Sequence, residues 1–102
     1  MKKQTLYIGL NDKDTKAQKI DTLEAVKIVS NILTEYTDGA TIYNATGIYK
    51  HDNGDIVIEN TLRVELIEAD AGRLAEAVKI IKTVLNQESI IIQNEIINSV
   101  VA

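Results

Sequence analysis

Two alternating runs, Ala40–Lys50 (ATIYNATGIYK) and Asp55–Glu68 (DIVIENTLRVELIE), meet at the sequence HDNG, and this pairing constrains the fold more than any other feature of the chain. Alternation at a period of two marks strands with one face buried. Their register follows from which residues can oppose one another. A two-residue Asn53-Gly54 loop would set Ile48 against Glu59 and Ile42 against Glu65, apolar against charged. A three-residue Asp52-Asn53-Gly54 loop, with Gly54 in the left-handed bulge position, sets Ile42 against Val64, Ile48 against Ile58 and Tyr43 against Arg63. A slip of one residue exchanges the faces of a strand, so only the second register is consistent on both.

The other elements fall around this hairpin. Gln4–Leu10 alternates and reads as a first strand, with Leu6, Ile8 and Leu10 on one face and Tyr7 and Gly9 on the other. Asn11–Ile20 is a polar loop. Asp21 and Glu24 in DTLE form a capping box before a helix whose stripe is Leu23, Val26, Val29, Ile32, Leu33 and Tyr36. Gly39 suits a left-handed turn that ends it. Asp70 caps a second helix, in which Leu74, Ala77, Val78, Ile81 and Leu85 recur at helical spacing. Ser89–Val101 closes the chain as a fourth strand, with a break expected near Gln93 and Asn94. The order is β-α-β-β-α-β. The expected fold class is therefore α+β: a ferredoxin-like split βαβ domain, residues 1–102, with a four-stranded antiparallel sheet and both helices on one face.

That arrangement leaves the other sheet face for water, a ligand or another subunit. Tyr43, Tyr49, Glu59, Thr61, Arg63 and Glu65 share it, and Tyr7 should lie close to Arg63. An arginine forks onto a phosphate, and a tyrosine ring stacks on a base. Tyrosine and arginine are also enriched at protein interfaces, so a subunit interface, a ligand pocket and a solvated face all remain open.

The chain has 102 residues and a net charge of −4, which argues against non-specific DNA binding. It has no Cys, so disulfides, thiol catalysis and zinc–thiolate sites are excluded. No apolar run approaches a membrane span, and no apolar segment follows Lys2-Lys3, so neither a membrane partner nor a signal peptide is expected. A cytoplasmic location fits. The one histidine, His51, stands at the hairpin tip, where it reads as a solvated turn residue. Asn11–Asp14 (NDKD) resembles the start of a calcium loop but lacks its later Gly and Glu. No cofactor or metal is expected. Asn86–Ser89 (NQES) reads either as helix termination or as amide and hydroxyl groups that contact a base or ribose. Arg73, opening the second helix, is either solvated or an anion contact.

Three segments together, TLYIGLNDKDTK, DGATIYNATGIYKHDNGDIVIENTLRVEL and LNQESIIIQNEI, resemble the small phage-encoded Thoeris anti-defence proteins of the first type, over about Thr5–Asn98. The same phrases are similar to short bacterial βαββαβ proteins of unknown function. The first resemblance implies a binding protein and not an enzyme. Such proteins sequester a cyclic ADP-ribose isomer made by TIR-domain immune proteins and release it unaltered, and some take up cyclic oligonucleotides. It also implies a homo-oligomer, a dimer or higher and as large as a hexamer, with pockets between subunits, acting in the bacterial cytoplasm. Carried onto this chain, Arg63 in ENTLRVE holds the pyrophosphate and Asn94 in IIQNEI supplies an amide contact. Phe and Trp are absent, so stacking falls to Tyr7, Tyr43 or Tyr49. The alternative is a structural or regulatory homo-oligomeric domain with no nucleotide ligand.

Overall fold

The computed structural model describes residues 1–102, with β1 (Lys2–Gly9), α1 (Thr22–Tyr36), β2 (Thr41–Lys50), β3 (Ile56–Ile67), α2 (Ala71–Val84) and β4 (Ile91–Ile96). The strands form one sheet in the order β2-β3-β1-β4, every neighbouring pair antiparallel. This is the expected split βαβ arrangement.

The hairpin takes the three-residue loop. Ile42 opposes Val64, Tyr43 opposes Arg63 and Ile48 opposes Ile58. His51 N–H donates to Asp55 O at 2.8 Å and Gly54 N–H to His51 O at 2.9 Å, with Gly54 at φ +92°. A side chain there would be strained, which is why glycine stands in the bulge position.

Sheet parity places Leu6, Ile8, Leu62, Val64 and Leu66 on the helix side, where they pack with Ala25, Val29 and Leu33 of α1 and Leu74, Ala77, Val78 and Ile81 of α2. Complete burial of one such Leu or Ile contributes about 1.5–3 kcal/mol. The α2 stripe is as expected. The α1 stripe is rotated: Leu23 is 62% exposed and Ala25 is fully buried. The core face of α1 runs through Ala25, Val29 and Leu33, and Leu23 in the first turn falls outside it.

Asp21 caps α1 by accepting from Leu23 N–H at 3.2 Å, and Asp70 caps α2 by accepting from Arg73 N–H at 2.9 Å. Glu24 makes no return bond, so the capping box is half formed. At its other end α1 stops on Thr37, which is extended (φ −138°) and donates its N–H to Leu33 O at 2.8 Å. Gly39 is therefore not the cap. The left-handed cap belongs to α2, where Asn86 has φ +49° and Gln87 N–H reaches back to Lys82 O at 2.9 Å. The last strand runs unbroken through Gln93 and Asn94 and ends at Ile96, shorter than expected because β1, its one partner, begins at Lys2.

The hairpin outreaches the rest of the sheet. Pairing with β1 stops at Gly9 opposite Thr61, so the β3 residues before Thr61 have β2 as their one strand partner. The molecule measures 47 × 25 × 22 Å with a radius of gyration of 14.2 Å, against about 13 Å for a spherical chain of this length.

Candidate ligand-binding face

On the helix-free face, Arg63 of β3 lies directly between Tyr7 of β1 and Tyr43 of β2 in the strand ladders. Its guanidinium carbon is 5.5 Å from the centre of the Tyr43 ring, a cation–π distance. Its Nη2 is 2.9 Å from Glu65 Oε2, two residues along the same strand and therefore on the same face. Its Nε is buried and hydrogen-bonds to nothing in the chain.

Glu65 is the hub of this layer. Lys3 Nζ approaches it at 2.9 Å and the Tyr43 hydroxyl donates to it at 2.9 Å; Lys3 also lies 3.6 Å from Glu95 of β4. The Lys3 and Tyr43 hydrogen bonds hold the Glu65 carboxyl below its usual range. The same carboxylate raises the Lys3 ammonium and the Tyr43 phenol above theirs. Charged side chains thus run from β4 across β1 to β3, and the neutral Tyr43 hydroxyl of β2 completes the layer.

Beside this layer, where the hairpin outreaches β1, an open groove of about 550 Å³ is lined by Tyr7, Gly9, Gly47, Tyr49, Glu59 and Thr61 from the strands. Lys13 and Lys16 stand along one side, and Glu88 and Ser89 come from the α2–β4 connection. His51 reaches it from the hairpin tip, edge-on to Tyr49 with ring centres 5.5 Å apart. Burial, and then the Glu59 charge, raise the Tyr49 phenol above its ordinary range.

The groove exists because two glycines keep its strands bare. A Cβ on Gly9 would sit 2.5 Å from Glu59 Oε1, and one on Gly47 would sit 2.8 Å from Thr61 Oγ1. With that space open, the Glu59 side chain lies across Gly9, and Oε2 accepts Asn11 N–H at 3.0 Å.

The β1–α1 loop bordering the groove is built as one unit. Asp12 is buried and accepts from Asn86 Nδ2 at 2.7 Å, Thr15 N–H at 2.9 Å and Asp14 N–H at 3.0 Å. The Asn86 amide first, then the Thr15 backbone, hold its carboxyl well below the usual carboxylate range. Gln87 Nε2 donates to Asn11 O at 2.8 Å. Asn86 and Gln87 therefore end α2 and tie it to this loop, while Glu88 and Ser89 face the groove. No group of three or more His, Asp or Glu side chains gathers to hold a metal, and no helix is long and apolar enough to cross a membrane.

Of the six ligand contacts expected from the sequence, Tyr7, Tyr43, Tyr49 and Arg63 share this face. Tyr7 and Tyr49 line the groove; Arg63 and Tyr43 flank it. Asn94 sits opposite Gln4 and so on the helix side of the sheet, away from Arg63. Arg73 is engaged elsewhere: Nε and Nη2 donate to the Tyr36 and Glu35 carbonyls at 3.1 and 2.8 Å, and its guanidinium lies 5.3 Å from the Tyr36 ring centre. It neutralises the carbonyl end of α1. Sequence pattern does not mark the groove's Lys13, Lys16 and His51 as ligand contacts, and it gives Glu59 only as a residue of this face.

The fold and this face define a ferredoxin-like domain with an unobstructed sheet surface. The chain belongs to the family of proteins of unknown function DUF3574, whose model matches residues 3–96. A comparison with curated proteins returns no match. Among solved structures, the chain is similar to a phage SAM lyase in complex with S-methyl-5′-thioadenosine, at 21% identity and a TM-score of 0.70 over 92% of this chain and 79% of that one. A CutA1 variant from Pyrococcus horikoshii OT3 aligns at 17% identity and a TM-score of 0.60, over 98% of this chain and 86% of that one. A DUF3240 family protein from Shewanella baltica OS155 aligns at 11% identity and a TM-score of 0.55, over 99% and 97%. Identities of this size carry the fold and nothing finer.

Proposed function

We propose that the protein is a non-catalytic, self-associating domain of the cytoplasm that captures a nucleotide-type signal on its helix-free sheet face, where a second copy closes the site. In its finest form the ligand is a cyclic ADP-ribose isomer, held and returned unaltered, so that TIR-based anti-phage defence is blocked. The observation that carries this reading is the groove of about 550 Å³ beside Arg63, with the Tyr7 and Tyr49 rings in it and Lys13 and Lys16 along its side. Aromatic rings stack a base, and cations match phosphates. The Arg63 side chain, 40% exposed beside the groove, supports the same reading, because the outer part of its guanidinium is open to a ligand anion.

Self-association is supported by the hairpin. Ile48, Ile56 and Ile58 lie on the helix side of a ribbon that no helix covers, and they are 66–69% exposed. A two-stranded ribbon with apolar side chains in water is marginal by itself. Both outer strands, β2 and β4, also present unpaired edges.

The test is calorimetry with glycocyclic ADP-ribose, followed by heat release and mass spectrometry. Binding with intact recovery supports sequestration. Recovery of ADP-ribose or AMP would show turnover, and no heat across a nucleotide panel would leave the structural-domain alternative. One observation favours a second reading, a nucleoside-processing enzyme: Glu59 and Tyr49 occupy the groove of a fold that elsewhere holds S-methyl-5′-thioadenosine. Conversion of S-adenosylmethionine by the purified protein would establish it.

A further inference from the structure

The Glu59 carboxylate has no role in the phosphate-and-base reading just given, yet the groove is shaped around it. It is anchored at one oxygen: Oε2 takes the Asn11 N–H at 3.0 Å. Its other oxygen, Oε1, carries none of the chain's hydrogen bonds, and no cation pairs with it. The chain keeps it in this pose by leaving position 9 without a side chain, since a Cβ there would come within 2.8 Å of the whole carboxylate group. Gly47, directly opposite Glu59 in the β2–β3 ladder, leaves the other flank bare as well.

A carboxylate fixed in this way accepts hydrogen bonds and repels phosphate. In a groove with cations at one side and tyrosine rings within it, it sits where the uncharged donors of a nucleotide would fall. Among those donors, the paired hydroxyls of a ribosyl ring offer a carboxylate two adjacent O–H groups. We infer that Glu59 is the specificity-determining contact of this groove and that it selects ligands carrying a free ribose 2′,3′-diol. This rests on the nucleotide-binding reading above and adds to it the part of the ligand that is read.

The experiment measures binding of ADP, its 2′-deoxy and 3′-deoxy counterparts and ribose 5-phosphate to the full chain and to two variants. The unsubstituted protein is expected to bind ADP about ten- to a hundredfold more tightly than either deoxy form, the scale of a hydrogen bond to a charged group. Glu59→Gln keeps a carbonyl for the Asn11 N–H and removes the anion, so discrimination should collapse to within about threefold while thermal stability holds. Gly9→Ala should lose the same discrimination by displacing the carboxylate, since the added methyl meets only the end of a flexible side chain. Ribose 5-phosphate separates a bare sugar phosphate from a nucleotide: retained preference for the full nucleotide supports the inference, and equal affinity overturns the nucleotide part of it. Equal affinity for ADP and its deoxy forms, or discrimination surviving in Glu59→Gln, overturns the role of Glu59 while leaving nucleotide binding standing. No binding by these probes while glycocyclic ADP-ribose still binds overturns the diol contact alone; no binding by glycocyclic ADP-ribose either overturns the binding reading itself, and the diol contact with it.

Discussion

Arg63 Nη2 lies 2.9 Å from Glu65 Oε2, so the guanidinium of the open sheet face is neutralised from within its own strand. The arginine is thereby held against the Tyr43 ring with part of its donor set unused. A pre-oriented arginine loses less freedom when a ligand arrives.

Arg63→Ala should therefore separate two effects. The Arg63 side chain is 40% exposed, and partly exposed ion pairs contribute at most about 1 kcal/mol. Urea unfolding should shift by no more than that. Affinity for glycocyclic ADP-ribose should fall about tenfold or more, the scale of removing a charge-assisted hydrogen bond to the ligand. Unchanged affinity in calorimetry would remove Arg63 from the site.

The hairpin makes a prediction about assembly. Ile58 is 66% exposed within one chain, so Ile58→Lys should leave the stability of an isolated chain within about 0.5 kcal/mol. If a second copy covers the ribbon, a lysine there is buried without a partner. Sedimentation velocity should then show the variant as a monomer at concentrations where the unsubstituted protein is larger.

Asp12 gives the pH dependence. Its carboxyl is depressed in the folded chain, first by the Asn86 amide and then by the Thr15 backbone. A depressed acid contributes stability that is full above its unfolded pKa and is lost as pH falls toward the folded value. The loss therefore sets in below about pH 4. Asp12→Asn should be less stable at neutral pH and should lack this part of the acid slope, as measured by urea unfolding across the acid range. Because Asp12 fixes the loop beside the groove, ligand affinity should follow the same acid limb.

Leu66 and Leu23 give the core contrast. Leu66 is 1% exposed and Leu66→Ala should cost about 2–5 kcal/mol. Leu23 sits in the apolar pattern of α1 but is 62% exposed, and Leu23→Ala should cost less than about 0.5 kcal/mol in the free chain. Chemical denaturation of the two variants checks both.

That contrast marks how far the sequence can be read. The hairpin register is legible because one wrong step sets isoleucine against glutamate, and Gly54 marks where the left-handed residue must fall. The α2 stripe is legible for the same reason, a periodic pattern with one solution. Leu23 is not, because the buried face of α1 centres on Ala25, Val29 and Leu33, and an alanine stands out less in an apolar pattern than the leucine beside it. The groove is only half legible. Strand parity brings Tyr7, Tyr43, Tyr49 and Arg63 to one face, but the Glu59 carboxylate reaches the Asn11 amide across 48 residues. Asn86 likewise reaches Asp12 across 74. No local period carries such pairings. Arg73 shows the converse: its place at a helix start suggests an anion contact, and its partners are two carbonyls of another helix.

The most direct measurement of ligand capture on the open face is backbone amide NMR during titration with glycocyclic ADP-ribose. Shifts concentrated at Tyr7, Gly9, Gly47, Glu59 and Arg63, with the α1 and α2 amides and Asn94 little changed, are the predicted result. An unchanged spectrum at saturating ligand, or shifts confined to the helix side of the sheet, would contradict it.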